Sequence, residues 1–143
     1  MVTLDDLAAA VKARFDAGTD YKAAAPGGMW FGRANEGAAV PYGVFTLEAE
    51  GPAQRLTDGT MVQNYALRVG VYSDQGVTDP QAIQLGMAKA LPVTGWVDLR
   101  DGKVVHCLPR PFTGKFDPQL RSARDVFLSQ GQWLIQVAGA TTP

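Results

Sequence analysis

Two neighbouring residues are the first to invite chemistry. His106 and Cys107 are the only histidine and the only cysteine of the chain. A thiol beside an imidazole is the raw material of a nucleophile–base pair. Their setting works against that use. Both lie in a run, Lys103 to Pro109, that reads as a short strand, and adjacent strand residues point to opposite faces of a sheet. The two side chains therefore diverge. One His and one Cys also fall short of the three or four ligands that a zinc site needs. A single Cys builds no intrachain disulfide. The expectation is a sheet histidine and a buried free thiol, with no metal.

The carboxylates give a second candidate. Glu48 and Glu50 are two apart on a predicted strand and so share a face. Two carboxyls on one face can serve as acid and base, and a pocket near Glu48, Arg68 and His106 is where a small enzyme or ligand-binding module would place them. The pattern around them is a polar strand end, which a solvated edge accounts for. The glycines do not cradle phosphate. The Gly51 to Gly59 stretch lacks the Lys-Ser/Thr pair of a P-loop, and Gly27-Gly28 precedes a strand rather than a helix. No catalytic residue and no cofactor is assigned.

The elements that would position these residues follow from periodicity. Thr3 to Asp16 reads as an amphipathic helix. Thr3 is its N-cap, Asp5 and Asp6 lie in the first turn, and Leu4, Leu7, Ala8, Val11 and Phe15 form one apolar stripe. Gly18 is the stop. Met29 to Phe31 is a short strand after a Pro-Gly-Gly loop. Val40 to Glu50 is another, with Pro41 placing its start at an edge. Gly51 to Thr60 reads as the longest polar connection. Met61 to Ser73 is the strongest strand, with Tyr65, Leu67, Val69 and Val71 on one face at period two. Asp79 to Leu91 is a second helix, capped by Asp79, begun by Pro80 and ended by Pro92. Trp96 to Leu99 and Lys103 to Pro109 read as short strands around a turn at Asp101-Gly102. Pro109 to Asp117 is a loop. Asp125 to Ala138 is a long final strand with Phe127, Trp133, Ile135 and Val137 on one face. Gly131 marks a bulge, and Gly139 to Pro143 a frayed tail. Trp30, Trp96 and Trp133 read as core.

This order lacks regular β-α alternation. It predicts a single α+β domain over residues 1–143, an antiparallel sheet of about four to six strands with two helices packed on one face. The length supports one core without staples. The net charge of −1 gives no global pull toward nucleic acid or membrane. No run approaches the ~18 apolar residues of a membrane span, and the acidic start carries no signal peptide. The window from Arg100 to Arg124 holds six positive residues against two acids, net +4, and leaves −5 for the rest. It reads first as a solvated loop whose charges are balanced elsewhere in the fold, and otherwise as a contact for an acidic partner surface or for DNA.

Four stretches together resemble the tail-completion (tail-terminator) proteins of long-tailed bacteriophages. They are the opening helix Leu-Asp-Asp-Leu-Ala-Ala-Ala-Val, the strand Val40 to Phe45 (Val-Pro-Tyr-Gly-Val-Phe), the strand Asn64 to Ser73 running into the Ala-rich helix, and the closing strand Val-Phe-Leu-Ser-Gln-Gly-Gln-Trp-Leu-Ile-Gln-Val. The resemblance implies a virion structural protein with no catalytic residues. It implies a ring of itself, usually a hexamer, at the head-proximal end of the tail tube. Its partners would be the tail-tube protein and a neck or head-tail connector protein, with DNA passing through the channel without being specifically bound and no membrane. Its place would be the tail and neck of the virion, and the host cytoplasm during assembly. Another connector of the neck, a head-tail stopper, fits the same body. The interface residues expected on this reading are Arg55, Leu56 and Asp58 in one loop and Arg110, Phe112, Lys115 and Phe116 in another.

Overall fold

The computed structural model describes residues 2–35, 37–73, 80–96, 99, 102–111 and 124–141. Three helices, α1 (Leu4–Ala17), α2 (Thr19–Ala24) and α3 (Pro80–Ala90), and five strands, β1 (Met29–Phe31), β2 (Tyr42–Arg55), β3 (Thr60–Ser73), β4 (Gly102–Arg110) and β5 (Val126–Thr141), make an α+β fold among these residues. The strands form one sheet in the order β1-β2-β3-β5-β4. All neighbours are antiparallel except β1, which runs parallel to β2. The sheet is therefore mixed rather than purely antiparallel.

Local chemistry explains most of this. Thr3 Oγ1 accepts the Asp6 amide while Asp6 Oδ2 accepts the Thr3 amide, a complete capping box at the start of α1. Of the expected stripe, Leu7, Ala8, Val11 and Phe15 turn inward, while Leu4, in the first turn, stays exposed. On β3 the period of two puts Tyr65, Leu67, Val69 and Val71 into the main core, with Phe45 and Leu47 of β2 and Trp133, Ile135 and Val137 of β5. Ile83, Met87 and Ala90 of α3 and Tyr21 of α2 close over them. All three helices thus contribute to the core on one face of the sheet.

Four expectations change. Gly51 to Arg55 is strand, not loop, so the β2–β3 connection shrinks to a tight turn at Leu56–Gly59. The glycine and proline there form a bulge: Glu50 pairs with Asn64 and Gln54 with Val62. The Gln63 side-chain amide stitches it by donating to the Gly51 and Asn64 carbonyls, each at 3.0 Å. The bulge in β5 falls between the partners of Val71 and Tyr72, at Leu128, not at Gly131, which pairs regularly with Val69. Residues 139–141 belong to β5 instead of a tail. Trp96 and Leu99 are buried but not in a strand. The Asp79 cap, the Asp101 turn residue and the Phe127 side chain lie outside what is described.

The short helix α2 is the unforeseen element. It packs on α3 at Gly86, where a Cβ would lie 2.7 Å from Tyr21 Cα. Only glycine permits that approach. Gly86→Ala is therefore expected to cost about 1–3 kcal/mol in urea unfolding, as an overpacked core does. Gly37→Ala, with nothing within 4 Å of the added carbon, should stay within about 0.5 kcal/mol of wild type.

Candidate functional site: the uncovered sheet face and its two ends

Among the described residues, a loop folds over the face of the sheet away from the helices at one end only. There Trp30, Ala34, Ala38, Val40, Tyr42, Val44 and Tyr72 make a second small core. The buried Tyr42 hydroxyl donates to Asp125 Oδ2 at 2.5 Å, tying the start of β5 to the start of β2. Beyond that end the face is polar. Register places Thr46, Arg68, Gln132 and Arg110 in one transverse row, Glu48, Ala66, Leu134 and Leu108 in the next, and Glu50, Asn64, Gln136 and His106 in a third.

Two ion pairs cross this face. Arg68 Nη1 lies 3.1 Å from Glu48 Oε2 between adjacent strands. The Arg110 guanidinium donates through both terminal nitrogens to the Glu50 carboxylate, Nη1 to Oε2 at 3.0 Å. That second pair is unusual in reach. Arg110 is on β4 and Glu50 on β2, with β5 and β3 between them. In a flat sheet three strand spacings of about 4.8 Å would hold the backbones about 14 Å apart before any offset along the strands. The pair closes only because the sheet curls toward this face.

The sequence-derived candidates can now be placed. Glu48 and Arg68 do meet, but among the described residues His106 bonds to neither. The cation that reaches β2 from β4 is Arg110. His106 and Cys107 alternate on β4 as expected. Cys107 belongs to the main core, and burial pushes its thiol up to about 12. Among the described residues no group of three or more His, Cys, Asp or Glu could hold a metal. The Asn64 Oδ1 atom on this face is buried and meets no donor.

Of the expected interface residues, Arg55, Leu56 and Asp58 stand together at the hairpin turn and are exposed. Asp58 Oδ1 accepts the Thr60 amide at 2.9 Å, which holds its carboxyl below the usual range. Arg110 instead spends its charge within the chain, on Glu50. Phe112, Lys115 and Phe116 lie outside the described residues, as do Arg100 and Arg121 of the basic window.

Of the depressions among the described residues, two lie near opposite ends of β5. One, of about 390 Å³, lies on the polar face between the hairpin turn and β4, with Leu56, Val62, Val105 and Ala138 among its walls and Asp58 and Lys103 at its rim. The other, of about 760 Å³, is shallow, uncharged and lies beside α3, with Leu85, Ala88 and Leu128 as its apolar walls. Leu85 is 57% and Val126 of β5 58% exposed. Leu85 and Val126 were readable only as apolar residues out of phase with their elements' buried stripes. No protein-family model matches the chain, and no curated protein or solved structure does.

Two outcomes follow from this electrostatics. Glu50 is held below its ordinary 4.5 first by the hydrogen bond from Arg110 and then by the charges of Arg110 and Arg68, against burial. A carboxylate lowered by folding adds stability above 4.5 that is lost as pH falls through the folded value. Glu50→Gln should cost at most about 1 kcal/mol at neutral pH, since the pair is partly solvated. The gap from wild type should close in acid well below 4.5, read from urea midpoints. The Cys107 thiol should react with a thiol reagent at mildly alkaline pH only on unfolding; rapid labelling of native protein would contradict its burial.

Proposed function

We propose that this chain is a structural subunit of a bacteriophage tail, a tail-terminator protein that works by closing a ring of its own copies. The observation that carries the reading is the pair of unlike apolar depressions. One sits on the polar face near Ala138 and the other on the helix side near Leu128, at the two ends of β5. At about 3.4 Å per residue they are about 30 Å apart. A two-fold contact joins one patch to itself, whereas a ring needs two different patches that fit head to tail. Exposed leucines at both ends, Leu56 and Leu85, supply the apolar contact, and Asp58 with Lys103 supplies a polar rim.

In this reading the ring, of six copies as in the proteins the chain resembles, sits on the head-proximal end of the tail tube. It contacts the tail-tube protein on one side and a neck protein on the other. Its work is done in the virion, after assembly in the host cytoplasm. DNA passes the channel without specific contacts, in keeping with the neutralisation of Arg110 by Glu50.

Light scattering after size-exclusion chromatography, followed by negative-stain imaging, tests it. Wild type is expected as a ring with a central channel. Leu56→Asp and Leu85→Asp, both at exposed positions, should give single copies with unchanged circular dichroism. A wild type that remains a single copy at its highest soluble concentration rejects the reading.

A further inference from the structure

The sheet has an unused edge. β1 covers β2 only at Gly43 to Phe45. There the Gly43 amide donates to Gly28 at 2.8 Å and the Phe45 carbonyl accepts from Gly32 at 3.0 Å. These backbone groups therefore point away from β3. At Gly32, with φ of 77°, the chain turns off. The β2–β3 register is unbroken from Tyr42 to Glu50, so alternation aims the amides and carbonyls of Leu47 and Ala49 outward as well. Among the described residues nothing bonds to them. Proline and bulge, the usual guards of an edge, come only after Glu50.

The opposite side of the sheet is treated differently. Along β4 the edge is blunted near its end: the Cys107 amide donates to Val93 at 2.9 Å, and Pro109 has no amide hydrogen to offer. But β4 ends at Arg110, opposite Gln132, while β5 begins at Val126. Gln84 Nε2 caps the Gln130 carbonyl at 2.7 Å. The stretch Val126 to Leu128 has no strand on its β4 side among the described residues. Among the described residues, one chain thus carries two stretches without a strand partner on opposite sides of one sheet.

We propose that the outward edge of β2 at Leu47–Ala49 receives the Val126–Leu128 end of β5 from a second copy, so that the sheet runs on from subunit to subunit. The proposal rests on the ring reading and names the bonds that close it. Edge pairing supplies direction and register, and the exposed leucines nearby supply apolar area.

Ala49→Pro is the test. Its amide points outward, so proline removes a donor from the edge and leaves the β2–β3 ladder intact. Ala49→Val, which keeps the amide, is the control. Ala49→Pro is expected to keep the wild-type circular dichroism and to weaken association at least tenfold by light scattering, while Ala49→Val assembles as wild type does. Assembly of Ala49→Pro at wild-type strength overturns the edge contact and leaves the ring reading standing. A single-copy wild type removes the ring reading itself. Should Ala49→Pro misfold, hydrogen exchange of wild type decides: the Leu47 and Ala49 amides are expected to be protected in the assembled state and fast in dilute protein, and equal rates in both overturn the proposal.

Discussion

A sheet has two faces, and the helices among the described residues cover one. Everything else in the structure answers to that constraint. The helix face is closed by α1, α2 and α3 over a continuous apolar layer. The other face is closed in three different ways along its length. The loop before β2 folds over Tyr42, Val44 and Tyr72 at one end. Salt bridges cross the middle. The hairpin end stays open, with an apolar depression at its rim. Arg110 reaches over two strands to Glu50, a contact that the curl of the sheet brings within range.

The parts of this fold that local rules govern were legible beforehand. The Thr3 capping box, the inward face of β3, the Pro80 start of α3 and the burial of Cys107 all follow from spacing within a dozen residues. What was hidden depends on distant partners. Gly51 and Pro52 look like loop residues, yet the Gln63 amide lets them stay in a strand as a bulge. The helix α2 is too short to show a period, and it exists because Gly86 lets Tyr21 pack against α3. Glu50 and Arg110 are 60 residues apart, so no pattern announces their pairing. Of the proposed interface, the turn that carries Leu56 and Asp58 was announced by its polarity and turn chemistry, while Arg55 ends a strand where a loop was expected. The depression beside α3 was not, because exposure of Leu85 is a fact of packing rather than of spacing.

These features lead to one account of function. Among the described residues the sheet has an open edge, a blunted edge and two separated apolar depressions, and these support the proposal of repeated contact with copies of itself. Cys107 is buried in the core, and the pairs Arg68–Glu48 and Arg110–Glu50 cross the other face. Backbone amides and carbonyls at the edge and leucines at two ends are what that proposal draws on.

Head-to-tail contact has a signature that no other symmetry shares. A variant with only its β2 edge spoiled, Ala49→Pro, and a variant with only its α3 end spoiled, Leu85→Asp, each retain one working surface. Mixed in equal amounts, they are predicted to form a one-to-one dimer that grows no further, with twice the single-copy mass by light scattering. Two populations of single copies, or assembly into larger species, would contradict the account.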